Sequence, residues 1–475
     1  MTFTAPPAPP RRSPPRGQAP GPPTPTRCAR RGLAPLAVAV LLASAQVAAS
    51  PADTFGLGSR STAMGSAVSA DVRDFSANYY NPSGLALARG LDISAGYYYA
   101  DHALEMNGKD SQVDPVRGIV GGLVAPGSFG FLPFAFGIAT FLPDDRLSRA
   151  RASRQEDPRW VMYDNRTQLI FISANLAIRP FDWLAIGGGM TWLAATRGAF
   201  GISGTAVLPA GNKTEYDSQL RHEVDADLTT ERYPEFGITV RPHERLDLAL
   251  VYRHQATIEL DVDAELTGTV DATLIKVPAR YTLDSYTVNA YIPRQLVLGE
   301  SFRPIDELSL NLDLKWVQWS AFKSPVSRSS TTLDVNVPPG IIELPPNPKP
   351  TKIEDPAFTD RIVPELGVEY RLAVTPDLTV PIRAGYIYER SPVPDQSGIT
   401  NYVDTDRHVL SFGTGVVLRE PGALLPGNVR FDAHAQWSIL PTRITLKDNP
   451  ADYVGDYRAR GSILNVGATV SLGFE

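Results

Sequence analysis

The residue types able to do chemistry are few in this chain, and their spacing argues against catalysis. Six histidines, His102, His222, His243, His254, His408 and His434, show no H-x-x-x-H or H-E-x-x-H spacing, so a helix-borne zinc site is excluded. No G-x-S-x-G nucleophile elbow occurs. Asp432, His434 and Ser438 share one parity, and a strand would place them on one face. A serine–histidine pair there could hydrolyse a lipid ester, but an ordinary polar strand face explains the same residues. The chain therefore reads as a non-enzyme with no catalytic residue, no metal and no cofactor. Four cations, Arg253, Lys315, Arg383 and Arg430, stand on the polar side of apolar-alternating segments. A cation beside an apolar cavity suits the carboxylate of an amphipathic acid. Asp247, Asp313, Glu389 and Asp432 lie near them in sequence, and pairing with these acids is the plainer expectation.

The elements that must position these residues are strands. In Asn465–Glu475, Val466, Ala468, Val470, Leu472 and Phe474 alternate with Asn465, Gly467, Thr469, Ser471 and Gly473. Leu308, Leu310, Leu312, Leu314 and Trp316 alternate with Ser309, Asn311, Asp313 and Lys315. Val429, Phe431, Ala433, Ala435 and Trp437 alternate with Arg430, Asp432, His434 and Gln436. Segments 246–253 and 382–389 repeat the pattern. Period-2 alternation of apolar with small or polar residues is the strand signature of an outer-membrane barrel.

The turns carry an internal repeat. Arg179-Pro-Phe-Asp-Trp-Leu184, Arg241-Pro-His-Glu-Arg-Leu246 and Arg303-Pro-Ile-Asp-Glu-Leu308 match as R-P-x-[DE]-x-L at a spacing of 62 residues. Thr375-Pro-Asp-Leu378 is a shorter version, and Pro234–Arg241 resembles Pro364–Arg371. Proline ends a strand because it has no N–H to donate, and Asp or Glu suits a tight turn. Each period holds two strands with one short and one long connection. The pattern predicts an all-β, transmembrane antiparallel barrel of about fourteen strands. Long connections are expected near 102–115, 143–163, 199–221, 264–290, 323–358, 391–405 and 445–457, on the side opposite the R-P turns and outside the cell. Pro338–Pro350 is too proline-rich for a strand and reads as exposed loop.

No interior stretch of the 475 residues reaches the ~18 unbroken apolar residues of a membrane helix. The one long apolar run, Leu33–Ala45, follows Arg27, Arg30 and Arg31 and ends in small residues. That is the layout of a cleaved signal peptide, expected over residues 1–49 with a proline-rich leader in front. The only cysteine, Cys28, would leave with it, so no disulfide or thiolate site is expected. Residues 1–49 hold six arginines and no acid, so their removal takes the net charge from −6 to −12. An acidic chain of this kind excludes nucleic acid as a partner.

Residues 50–89 do not alternate. They contain Ala63-Met-Gly-Ser66 and Asn81-Pro82-Ser83-Gly84-Leu85-Ala86. This stretch resembles the N-terminal plug, or hatch, of the FadL/TodX family of outer-membrane transporters for hydrophobic compounds. That family shows an A-M-G-G-A-like step and an N-P-A-G-L-A-like signature before its first strand. Here Ser66 and Ser83 replace a Gly and an Ala. The resemblance implies a hatch at 50–89 inside a barrel at 90–475, in the outer membrane of a Gram-negative cell. It also implies a hydrophobic small molecule as ligand, such as a fatty acid or hydrocarbon. Outer-membrane lipid, lipopolysaccharide and the barrel-assembly machinery are the partners expected of such a barrel. The family's third strand is kinked and opens the wall sideways. Pro133, Gly137 and Pro143 in the third strand here would suit that lateral opening, beside Phe134, Phe136 and Phe141. Two other functions share the barrel: a PorV-like adaptor that binds protein cargo through its loops, and a barrel lipid hydrolase.

Overall fold

The computed structural model describes residues 52–145, 158–163, 170–205, 207–208, 219–272, 275–322, 324, 328–335, 355–396, 398, 400–419, 427–448 and 452–474. The expected signal peptide and the proline-rich loop Pro338–Pro350 lie outside these residues. Fourteen strands form the wall: β1 (Leu91–Met106), β2 (Val116–Phe129), β3 (Leu132–Pro143), β4 (Phe171–Phe181), β5 (Leu184–Thr205), β6 (Gln219–His243), β7 (Leu246–Arg253), β8 (Arg294–Ile305), β9 (Leu308–Gln318), β10 (Arg361–Thr375), β11 (Leu378–Glu389), β12 (Arg407–Arg419), β13 (Asn428–Thr445) and β14 (Tyr457–Phe474). Every neighbour is antiparallel, and β1 pairs with both β2 and β14, from Leu91↔Phe474 to Met106↔Ala459 on the latter side. The sheet therefore closes on itself and leaves no edge.

Burial is inverted relative to a soluble sandwich. Leu310, Leu314, Phe412, Phe431, Trp437, Val466 and Val470 are exposed. Their alternates Ser309, Asn311, Asp313, Ser411, Asp432, Asn465 and Thr469 are buried. The apolar faces of the alternating strands thus point outward, as lipid requires, and the polar faces point into the lumen. Among the described residues no helix is long and apolar enough to cross a membrane.

The R-P repeat has a structural reason. Each proline falls in a register shift at the strand end: Ile178/Phe181, Leu246/Leu248 and Phe302/Ile305. A bulge needs no ladder hydrogen bond there, so proline is tolerated. The arginine N–H of each turn then bonds the carbonyl of the preceding turn. Arg241 reaches Trp183, Arg303 reaches Arg245 and Arg371 reaches Glu307, each at 2.8 Å. The repeat stitches successive hairpins together at one end of the barrel, where β1 begins and β14 finishes.

At the other end the wall is taller than expected. Strands β5 and β6 are 22 and 25 residues long, well over the ~9–11 that a tilted strand needs to cross a bilayer. The described residues of segment 264–290, expected to be loop, are paired strand. Ala256–Ala272 and Ile275–Ile292 form a hairpin, joined by Arg328–Val335 and Val207–Leu208 in a separate four-stranded sheet. Alternation continues there in sequence, and cross-strand pairing follows from it without a membrane.

Three short helices, α1 (Ala52–Phe55), α2 (Ser59–Ala63) and α3 (Ala77–Tyr80), and a 3-10 turn over Pro82–Leu87 precede β1. From Phe55 to Leu87 nearly every residue is buried. This segment touches lumen-facing side chains of strands all round the wall. Ser59 bonds Thr469, the Ser69 N–H donates to the Asp313 carboxylate, the Asn311 amide donates to the Ala67 carbonyl and the Ser173 hydroxyl donates to the Asn78 carbonyl.

Candidate functional site

The lumen segment is seated by its own motifs. Asn81 donates to the Ser69 carbonyl at 2.6 Å and to Thr239 at 2.9 Å, while its Oδ1 accepts from the backbone N–H and hydroxyl of Ser83. Pro82 opens the 3-10 turn, where a missing N–H costs nothing. The Ser83 hydroxyl also meets Thr239 at 2.7 Å, a contact that alanine could not make. Gly84 lies directly against the Val72 carbonyl, and a Cβ would overlap it. Ser66 sits at a positive φ of 63°, a conformation that favours glycine, and its hydroxyl meets Tyr80 Oη at 3.2 Å. Burial pushes the Tyr80 phenol up to about 12, so it stays neutral while accepting the Leu57 N–H at 3.1 Å.

The wall receives these motifs on paired glycines. Gly187 and Gly237 face each other across β5 and β6, and a Cβ on either would strike Asn81 or Pro82. Gly367 and Gly385 face each other across β10 and β11, and there the obstruction would be Met64 or Gly65. Two flat patches thus let segment backbone lie on strand backbone. Gly237 and Gly367 belong to the internal repeat Pro234–Arg241 and Pro364–Arg371, so the repeat carries docking as well as turns.

The four expected lumen cations point inward and all have partners. Arg253 donates to the Tyr79 carbonyl at 2.7 Å and stacks over the Tyr79 ring at 4.4 Å. Lys315 pairs with Glu365. Arg383 bridges Glu369 at 2.6 Å and Asp432 at 2.7 Å. Arg430 meets Asp432, Asp74 and Asp92 at 3.2–3.6 Å. Of the acids near them in sequence, only Asp432 takes the expected part. Asp313 accepts the Ser69 N–H, and Glu389 pairs with Arg407. Asp432 is therefore occupied by arginines, and no described hydrogen bond joins it to His434 or Ser438; His434 meets Asn465 at 3.5 Å.

No register shift interrupts β3. Its ladder to β2 runs unbroken from Phe129↔Leu132 to Gly118↔Pro143, and its ladder to β4 from Phe134↔Ile178 to Phe141↔Phe171. Pro133 and Pro143 sit near the strand ends, where one missing donor is cheap. Gly137 faces the lumen, and a Cβ would lie 2.7 Å from Asn78 Oδ1 and from Leu85 Cδ2. Its smallness serves the approach of the lumen segment. Gly137→Val should therefore unseat that segment, at a cost of about 1–3 kcal/mol for the overpacking. A lower urea midpoint for the folded band on unheated gels would check this; an unchanged midpoint would contradict it.

Sequence reasoning missed the residues that converge at the long-loop end. There Phe322 and Phe358 stack at 4.3 Å, Tyr402 stands edge-on to both, and Tyr291 and Trp319 pack alongside. A second chain of rings runs Trp160–Tyr163–His102–Phe55–Tyr98–Phe141, with centroids 5.2–6.2 Å apart. The two groups are joined where Arg159–Trp160 pairs in parallel with Tyr402–Val403. Beneath them lie Arg361, over the Trp319 ring at 5.2 Å, and Arg407, which pairs with Glu389 at 2.6 Å and bonds the Thr54 carbonyl. The arrangement is a buried aromatic cluster with guanidiniums at its base, residue types that suit contact with an apolar body and an anionic head. Parity places Arg361 and Arg407 on lumen faces; the loop aromatics have no periodicity to reveal them.

The chain is similar to alkane uptake protein A of Marinobacter nauticus, with 22% identity over 424 residues, 84% of this chain and 86% of that protein. In fold it is similar to the Pseudomonas putida toluene transporter TodX (TM-score 0.50, 14% identity, 89% of this chain and 99% of that one). It is also similar to the monoaromatic hydrocarbon channel CymD (TM-score 0.50, 16% identity, 88% and 98%). Over residues 38–423 the sequence matches the outer membrane protein transport protein family (OMPP1/FadL/TodX), and the chain belongs to that family of outer-membrane channels for hydrophobic compounds.

Proposed function

We propose that the protein passes a hydrophobic solute inward across the outer membrane, with residues 50–89 acting as its hatch and residues 1–49 as a cleaved export signal. The observation that carries this reading is the aromatic core reaching from the long loops down to Phe55 on the lumen segment. A solute held among these rings would touch the segment itself, so binding and segment movement share residues. The alkane relative and the aromatic-hydrocarbon channels set the range of solutes to test, with long-chain acids alongside. Lateral release through β3 requires its ladder to open; passage beside a displaced segment requires only that the segment's side-chain contacts break. The surrounding lipid, lipopolysaccharide and the assembly machinery are the partners of this reading.

Uptake of labelled hexadecane, toluene and oleate by cells lacking their own transporter tests it. At least one solute should enter faster than in vector controls. Trp319→Ala/Phe358→Ala should lower that rate about tenfold, since two large rings leave the core. Control-level uptake of all three solutes, with folded barrel at the surface, would reject the proposal and leave the adaptor reading.

A further inference from the structure

The short-turn end of the barrel opens on a cavity of about 1450 Å³, lined by nine arginines and seven acidic residues. Glu244, Asp306 and Asp377 are exposed among the lining acids, but two other carboxylates are held back behind arginines. Asp247 is shared by Arg241 at 3.1 Å, Arg73 at 3.3 Å and Arg303 at 3.0 Å. Glu369 is shared by Arg383 at 2.6 Å, Arg60 at 3.2 Å and Arg371 at 3.4 Å. Each carboxylate sits behind its trio. Asp247 and Glu369 side chains are 0% and 5% exposed, while those of Arg241, Arg73 and Arg371 are 29%, 31% and 42% exposed. Asp247 does not reach the cavity wall at all.

A guanidinium carries five N–H donors, and a carboxylate offers about four acceptor positions. Three guanidiniums around one carboxylate leave most of their donors unused, and the exposed ones turn toward the cavity. Nine arginines against seven acids give the lining an excess of two positive charges, in a chain whose overall charge is −6. Leu87, Leu91, Val417 and Phe474 line the same cavity and give an apolar flank.

We propose that this vestibule binds the carboxylate head of an amphipathic acid as it leaves the barrel. The inference rests on the channel reading above and adds the solute class: an acid gains a bidentate guanidinium contact at this end, and a bare hydrocarbon gains none. Arg241 and Arg371 are the residues that would make it, because each is partly exposed and each can be spared by its trio. The Arg241→Gln/Arg371→Gln variant leaves two guanidiniums on each buried carboxylate, so no buried charge is stranded.

The test is calorimetric titration of the detergent-folded full-length barrel with octanoate, octanol and inorganic phosphate. Octanoate should bind the parental protein and bind the double variant about tenfold more weakly. The octanol signal should be the same for both proteins. Equal octanoate affinity in the two proteins, no octanoate binding, or tighter binding of phosphate than of octanoate would overturn the assignment. Should the double variant misfold, Arg371→Gln alone carries the same comparison. In cells, the ratio of oleate to hexadecane uptake should fall about tenfold in the variant. If the parental protein takes up neither solute, the channel reading fails while the octanoate titration still decides the site.

Discussion

A chain lacking residues 53–80 should conduct ions across a planar bilayer at least about ten times better than the parental protein, because an unplugged barrel of this strand number encloses water. Phe55 to Tyr80 fills the lumen with buried residues. It is held there by side-chain contacts such as Ser59–Thr469, Ser69–Asp313 and Arg60–Glu369. The wall itself is held by strand-to-strand ladders that include no residue of the segment. Removing the segment therefore takes away the obstruction and leaves the closed sheet. Asp313 and Glu369 lose protein partners, but the water that replaces the segment solvates them. Heat-modifiable gel mobility should confirm folding. Conductance at the parental level in a folded deletion variant would mean that these residues do not obstruct the barrel.

Replacing Arg383 with leucine should lower stability by about 3 kcal/mol, the lower end for breaking a buried ion pair from one side. Arg383 is almost fully buried between Glu369 and Asp432, which are buried as well. Its loss strands part of two carboxylates whose side chains are only 5% and 2% exposed. The residual partners, Arg60 and Arg371 for Glu369 and Arg430 for Asp432, keep the cost from rising further. Adding Glu369→Gln and Asp432→Asn to the leucine variant should restore part of the loss, since no carboxylate is then stranded and Arg60 and Arg430 keep Asp71, Asp74 and Asp92 as partners. Urea titration of the folded gel band measures both. A leucine variant within about 0.5 kcal/mol of the parent would show that the pair carries no net stability.

The wall and its inside-out character were legible in the sequence for a local reason. Alternation over Leu308–Trp316 or Asn465–Phe474 is set by the two-residue period of a strand, and that period needs no knowledge of any other segment. The R-P repeat was legible because proline and the tight turn act within a few residues. The hairpin at 256–292 was missed although its strands alternate, because a long connection can fold on itself without entering the membrane.

Partnership was beyond local pattern. Asp247 lies six residues from Arg253 and 136 residues from Arg383 in sequence, yet its guanidiniums come from Arg73, Arg241 and Arg303. Gly137 looks like a break in a strand until Asn78 and Leu85 are seen against it. By itself the sequence determined a barrel of about fourteen strands, apolar outward, with a non-alternating segment before it. Only the tertiary structure decided where that segment rests, which cations remain turned toward open space, and that loop aromatics connect to Phe55 through His102. Strand parity says which way a side chain points; closure of the sheet and its register decide what it finds there.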